Sequence, residues 1–96
     1  MTEAYVFEAL RTPRGKGKKD GSLHEVKPIT LLTGLLTELQ ARQGFDTAAV
    51  DDVVMGIVSP VGEQGSVLPK VAAIKAGWAF TTAGVQINRF CASGLE

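Results

Sequence analysis

Residues 53–58, "VVMGIV", form an unbroken apolar run, and this run constrains the fold more than any other part of the sequence. Its length and its β-branched residues favour a strand. Because neither alternating set of side chains is polar, both faces of that strand need to be covered. Strands of this kind are typical of parallel sheets in α/β proteins. The run therefore predicts a parallel sheet with helices packed against it.

The segments on either side of this run supply the helices and two more strands. Residues 28–43 carry apolar side chains at helical spacing, with Pro28 in the first turn and Gly44 just past the end. Residues 67–76 repeat this pattern, while residues 4–10 and 84–90 predict strands. The sequence thus predicts an α/β fold, a βαβαβ unit with a mostly parallel sheet, as one domain over residues 1–96.

The order of these elements predicts that the sheet is only half covered. Right-handed crossovers place both helices on one face when the strands are added in one direction. A third helix, predicted to start at about Cys91, would begin to cover the other face. We expect an incomplete α/β domain, which in isolation would fold poorly or need a partner.

Composition excludes several classes of protein. Ten basic and ten acidic residues cancel, which gives no overall bias toward nucleic acid or an anionic membrane. No stretch reaches the ~20 apolar residues that span a bilayer, and the N-terminus lacks the pattern of a secretory signal. The single cysteine cannot form an internal disulfide, which fits a reducing compartment. These features predict a soluble, cytoplasmic protein without membrane insertion, and no metal site is predicted.

Cys91 has two interpretations. Free cysteine is among the most often buried residue types, so it could be a small core side chain. Its predicted position between a strand and a helix instead favours a reactive thiolate, because helix N-termini stabilise negative charge and α/β sites collect at the carboxyl ends of strands. A nucleophilic thiol usually has a neighbouring base. The only histidine, His24, lies in the first loop, and nothing in the sequence brings it near Cys91.

The segment "NRFCASGLE" resembles the nucleophile segment of the thiolases, the acetyl-CoA acyltransferases. Three other segments agree in order and spacing. "EALRTPRGKGKKDGSL" is similar to the first strand and the turn that follows it, "VDDVVMGIVSPVGEQG" to the second strand and its loop, and "AAIKAGW" to the next helix. Lys70 stands where many thiolases have an arginine. The resemblance covers essentially the whole chain and implies the N-terminal portion of a thiolase-like fold that stops just after the nucleophile segment.

This resemblance implies an activity and a site. Cys91 would attack an acyl-CoA thioester and hold the acyl group, which CoA or acetyl-CoA then accepts, and the Cys91 backbone N–H would donate to the oxyanion. It implies acyl-CoA and CoA as partners, no cofactor beyond the coenzyme A thioester, a role in fatty acid and lipid metabolism, and a dimer or tetramer for the complete enzyme. The family's histidines and second cysteine have no counterparts in residues 1–96, so the chain alone is expected to be inactive.

Two further hypotheses stay open. The chain could derive from a related condensing enzyme of the ketosynthase type, although "NRFCASGL" fits the thiolases better. It could also be a non-catalytic chain that pairs with another.

The basic stretch in residues 11–19 has alternatives of its own, namely a solvated loop, contact with the phosphates of CoA, or binding of RNA. Its five cations are Arg11, Arg14, Lys16, Lys18 and Lys19. The spacing of "GKGKK" does not match a phosphate-binding P-loop.

Overall fold

Two parallel strands and two helices build the fold. The computed structural model describes residues 2–96 and contains α1 (Pro28–Gln43), β1 (Asp52–Gly56), α2 (Leu68–Lys75) and β2 (Ala83–Ile87). The strands pair in parallel, with Asp52 opposite Ala83 and Gly56 opposite Ile87. The predicted α/β class and the parallel sheet are confirmed, and both helices lie within two residues of their predicted bounds.

Local signals in the sequence set the helix ends. Pro28 occupies the first turn of α1, where a missing N–H costs nothing, and Gly44 ends the helix at a φ of 64° while donating its N–H to Gln40 O. At the end of α2, Gly77 has a φ of 79°. The next N–H, that of Trp78, bonds back to Ala73 O at 3.0 Å. This reversal directs the Trp78 indole into the core, where 5% of the residue remains exposed.

The core lies between the two helices and one face of the sheet. It contains residues of α1, β1 and α2 together with Trp78. The Phe45 ring packs edge-on against the Trp78 ring, with 5.4 Å between the ring centroids. Val53 and Met55 of β1 contact this core, and Ile57, directly after β1, belongs to it. Both helices therefore cover the same face of the sheet, as the right-handed crossover predicts.

The opposite face of the sheet is largely open. Val54 and Val58, which alternate with the core-facing residues of β1, are 54% and 47% exposed, and Val85 of β2 is 37% exposed. The turn that contains Ser93 contacts this face at Gly56. The chain thus begins to cover the bare side at the predicted place.

Residues 4–10, predicted to be a strand, form no regular secondary structure here. Tyr5, Val6 and Phe7 are 70%, 90% and 81% exposed. A cavity of about 640 Å³ lies between this segment and α1. A strand needs hydrogen bonds from a neighbouring strand, and within residues 2–96 this segment pairs with neither β1 nor β2. Its apolar pattern is therefore not realised as a strand.

Lys70, singled out because many thiolases have arginine there, connects α2 to the loop before β2. Its ammonium group donates to Phe80 O at 2.7 Å and to Thr82 O at 2.6 Å. Gly84 on β2 lets the backbone of α2 lie close to the strand, because a Cβ at Gly84 would be 2.5 Å from the Lys70 backbone nitrogen. In this structure Lys70 therefore holds a loop in place.

Replacing Lys70 with methionine should lower the free energy of unfolding by about 1–3 kcal/mol, because two carbonyls lose a charged donor. Lys70→Arg should lose less, since a guanidinium can also donate to two acceptors. Lys75→Met, the same change at an exposed position of α2, should stay within about 0.5 kcal/mol. Urea unfolding of the three variants measures these differences. Equal losses in Lys70→Met and Lys75→Met would contradict the assigned role.

Candidate functional site

The carboxyl ends of β1 and β2 meet at one edge of the sheet. Because the strands are parallel, the segments that follow them leave from the same side. Asn88, just after β2, donates its side-chain N–H to Val58 O at 3.2 Å and so ties the two strand ends together. Cys91 lies three residues further along, at this edge.

A sharp turn presents Cys91. The Asn88 carbonyl side-chain oxygen accepts the Phe90 N–H at 2.7 Å, which reverses the chain. Phe90 itself has a φ of 51°, a conformation that non-glycine residues rarely adopt and that costs on the order of 1–3 kcal/mol. Cys91 follows directly and is an exposed free thiol. The nucleophile elbow of hydrolases likewise exposes a side chain on a strained turn at the end of a strand.

Ser93 stabilises this turn through two hydrogen bonds. Its hydroxyl accepts the Arg89 N–H at 2.8 Å and donates to Phe90 O at 2.7 Å, and the residue is 5% exposed. Its backbone and Cβ pack against Gly56, where a Cβ would lie 2.7–2.8 Å from Ser93 atoms. The contact between Ser93 and Gly56 sets the distance between the Cys91 turn and the sheet.

The backbone around Cys91 keeps one donor available. The N–H groups of Ala92 and Ser93 bond to Arg89 O and Phe90 O, each at 3.1 Å. The Cys91 N–H makes no hydrogen bond to any atom of residues 2–96. A free backbone N–H beside an exposed thiol is the arrangement that an oxyanion donor requires.

The prediction of a helix that starts at about Cys91 is wrong for these residues. The structure contains only a three-residue 3-10 helix, Ser93–Leu95. A helix dipole needs several aligned peptide units, and a single 3-10 turn that begins two residues after Cys91 does not supply them. The dipole argument for the thiolate therefore does not apply to the structure of these residues.

The only histidine and two of the glutamates have ordinary surroundings. His24 is exposed in the first loop. Glu63 pairs with Lys27 at 3.9 Å, and Glu8 accepts from the Gln43 side chain at 3.2 Å. Within residues 2–96, no three histidine, cysteine or acidic side chains gather where they could hold a metal ion. No helix in that range is long and apolar enough to cross a lipid bilayer.

Sequence reasoning assigned no role to Asn88, Phe90 or Gly56. Two of them carry a readable signal: an asparagine at a strand end favours a turn, and a glycine inside an apolar strand indicates a close backbone approach. The left-handed conformation of Phe90 has no such signal, because a bulky aromatic residue favours the opposite sign of φ.

Comparison with known proteins identifies the family of this chain. Residues 4–96 match the family described as "Thiolase, N-terminal domain". The whole chain is 36% identical to a 3-ketoacyl-CoA thiolase of Bacillus subtilis and 38% identical to a steroid 3-ketoacyl-CoA thiolase of Mycobacterium tuberculosis. It spans 24% and 23% of the lengths of these relatives.

A solved structure gives the same result. The crystal structure of the Bacillus anthracis acetyl-CoA acetyltransferase superposes with a TM-score of 0.67 and 32% sequence identity. The superposition covers 78% of this chain and 19% of that enzyme. A match of the family over residues 4–96, together with this fold similarity, shows that the chain belongs to the thiolase family and corresponds to part of its N-terminal domain.

Proposed function

We propose that the whole protein is an acyltransferase of the thiolase type that transfers an acyl group between acyl-CoA and CoA or acetyl-CoA through an acyl-cysteine on Cys91. The observation that carries this proposal is the position of the chain's only thiol, exposed on a strained turn at the carboxyl edge of the sheet. Relatives named for 3-ketoacyl-CoA support that substrate class and a role in fatty acid metabolism.

The first half of the reaction forms the acyl-enzyme. The Cys91 thiolate attacks the acyl carbonyl carbon, and the negative charge that develops on the carbonyl oxygen is stabilised by the Cys91 N–H. The bond from carbon to Sγ then remains while the bond to the leaving group breaks. The leaving group is the CoA thiolate of an acyl-CoA or the acetyl-CoA enolate of a 3-ketoacyl-CoA, and it takes up a proton. The acyl group is now held as a thioester on the protein.

The second half transfers the acyl group to its acceptor. In thiolysis the thiol of CoA loses its proton and attacks the acyl-cysteine carbonyl, which regenerates the Cys91 thiolate. In the synthetic direction a base removes a proton from the methyl carbon of acetyl-CoA, and the resulting enolate attacks the acyl-cysteine carbonyl. The carbon–carbon bond forms as the bond to Sγ breaks, which again releases the Cys91 thiolate. Neither direction needs a redox cofactor, since each reaction is redox-neutral overall.

The base that accepts the Cys91 proton has to lie outside these residues. His24 and the carboxylates Glu8 and Glu63 make other contacts or lie exposed, and none of them bonds to Cys91. We infer that the base belongs to another part of the whole protein, which would also assemble as a dimer or tetramer. Residues 1–96 by themselves should therefore show no thiolysis activity.

The open apolar face of the sheet is the feature that favours the alternative, a non-catalytic chain that binds a partner. A ketosynthase-type condensing enzyme is the other alternative. Neither the non-catalytic chain nor the ketosynthase-type enzyme would transfer an acyl group from acyl-CoA to free CoA.

Mass spectrometry can test the proposal on the whole protein. Incubation with acyl-CoA without free CoA should add one acyl group to the peptide that contains Cys91, and addition of CoA should remove it. Residues 1–96 alone, under the same conditions, serve as the control and should not turn over. Active enzyme with unlabelled Cys91 would rule out the nucleophile assignment, and turnover by residues 1–96 alone would rule out an external base.

A further inference from the structure

Phe90 has a backbone conformation that does not suit a phenylalanine. Its φ of 51° lies in the left-handed region, where asparagine or glycine would fit with less strain. Its N–H donates to the Asn88 side chain at 2.7 Å, and its carbonyl accepts from the Ser93 hydroxyl at 2.7 Å. These main-chain bonds would form with any residue at this position. The turn before Cys91 therefore requires the backbone conformation but does not require an aromatic side chain.

The fold of residues 2–96 gains little from the Phe90 ring. The residue is 73% exposed, and its ring neither belongs to the hydrophobic core nor pairs with another aromatic ring of these residues. Backbone strain that the fold itself does not reward is concentrated at functional sites. Because Phe90 directly precedes Cys91, we relate its ring to the chemistry of that thiol.

The surroundings of the Cys91 turn are apolar. Val58 accepts a hydrogen bond from the Asn88 side chain, which places it beside the turn, and it is 47% exposed. The two charged residues of the segment 88–96 bond to each other, since Arg89 donates to the Glu96 carboxylate at 2.6 and 3.1 Å. The segment thus offers an exposed aromatic ring and no unpaired charge of its own to a group bound at Cys91.

An acyl-cysteine would bring hydrocarbon within reach of this ring. A thioester substrate has an acyl half and a strongly polar CoA half, and it is the acyl half that becomes bonded to Cys91 Sγ. Consecutive Cα atoms lie about 3.8 Å apart, which is less than the length of a phenylalanine side chain. The Phe90 ring can therefore reach the carbons that follow the acylated carbonyl, whereas an acetyl group ends one carbon beyond that carbonyl.

We propose that Phe90 is a specificity-determining residue whose ring contacts the acyl chain on Cys91 and favours hydrocarbon chains longer than acetyl. This inference rests on the proposed function, since it needs an acyl group on the thiol. The contact removes apolar surface of both ring and chain from water, and the gain grows with the area that the chain covers. A short acetyl group covers little of the ring and should gain little from it.

The ratio of two activities of the whole protein tests this proposal. The ratio is kcat/KM for thiolysis of 3-oxooctanoyl-CoA divided by kcat/KM for acetoacetyl-CoA. These substrates share the CoA half and place a hexanoyl or an acetyl group on Cys91, so a general displacement of the thiol affects both and cancels. The variants are Phe90→Ala, Phe90→Leu and Phe90→Asn. The matched control is Phe80→Ala, which truncates an aromatic residue that is 81% exposed and precedes β2, whereas Cys91 follows it.

Phe90→Ala should lower the ratio about tenfold, the lower end of the roughly 10- to 200-fold effect of one lost methylene contact in a hydrophobic pocket. Phe90→Leu should keep most of the selectivity, because leucine also offers apolar area. Phe90→Asn should lose it while resisting urea at least as well as the unsubstituted protein, since asparagine tolerates a positive φ. Phe80→Ala should change the ratio by less than about twofold.

Two outcomes would overturn the proposal. An unchanged ratio in folded Phe90→Ala and Phe90→Asn proteins, including an equal loss of both activities, would show that the ring does not contact the acyl chain. A comparable change of the ratio in Phe80→Ala would show that the effect does not depend on a position next to Cys91. The Asn and Leu variants keep the test decisive if the alanine variant does not fold.

Binding in a Cys91→Ala background separates this proposal from the proposed function. Calorimetry compares hexanoyl-CoA with acetyl-CoA, with and without Phe90→Ala. A preference for hexanoyl-CoA that depends on Phe90, in a protein whose Cys91 is never acylated, would support the acyl contact and reject the acyltransferase function. Acylation of Cys91 with a chain-length preference that does not depend on Phe90 would do the reverse.

Discussion

Replacing Cys91 with alanine should lower thiolysis by the whole protein by a factor on the order of 10⁵, since loss of the nucleophile removes the covalent route altogether. The affinity for acyl-CoA should change little, because a methyl group replaces an exposed thiol and the turn around it is held by Asn88 and Ser93. The measurements are kcat for thiolysis and the Kd for acyl-CoA.

Ser59→Ala offers a matched control for this prediction. Ser59 is exposed and follows β1 at the same edge of the sheet, so its hydroxyl samples similar surroundings without belonging to the Cys91 turn. Its kcat should stay within twofold of the unsubstituted protein. A Cys91→Ala variant that keeps a tenth or more of the activity would exclude the acyl-cysteine mechanism.

Replacing Gly56 with alanine should impair the reaction through the position of Cys91. The added methyl group would lie 2.7–2.8 Å from Ser93 atoms, closer than real carbon contacts allow, so the turn has to move outward. A displacement of about 1 Å at a reacting group can cost roughly 100-fold in rate. We expect about that loss in the rate of Cys91 acylation, with a decrease in the free energy of unfolding of about 1–3 kcal/mol from overpacking.

The same substitution at Gly34 should behave in the opposite way. Gly34 lies inside α1, and a Cβ there would meet nothing within 4 Å. Gly34→Ala should stabilise the protein by about 0.5–1 kcal/mol, because alanine loses less backbone entropy in a helix. Stopped-flow acylation and urea unfolding of both variants measure these effects. A normal acylation rate in folded Gly56→Ala protein would show that the contact with Ser93 does not position Cys91.

Local sequence signals predicted the helices and the paired strands well. The helix over residues 28–43 has its predicted bounds, because proline in the first turn and glycine past the end act within a few residues. The strand at 4–10 was predicted from an equally clear apolar pattern, yet it does not form. A strand depends on a hydrogen-bonding neighbour, and local sequence does not contain that information.

The candidate site was predicted in part. The single cysteine and its surrounding motif directed attention to Cys91, and the structure places that thiol at the exposed edge where the strands end. The contacts of Ser93, Gly56 and Asn88 that hold the Cys91 turn were not predicted, because they join residues that are up to 37 positions apart. Such contacts arise only when β1 and β2 lie side by side.

The sequence by itself determined the family, the α/β class, the helix bounds and the identity of the candidate nucleophile, all of which depend on residue types at short or fixed spacing. Only the tertiary structure decided which face of the sheet is covered and how Cys91 is held. The physical reason is that parallel pairing brings distant segments to a common edge, so the contacts that shape the site have no local signal in the chain.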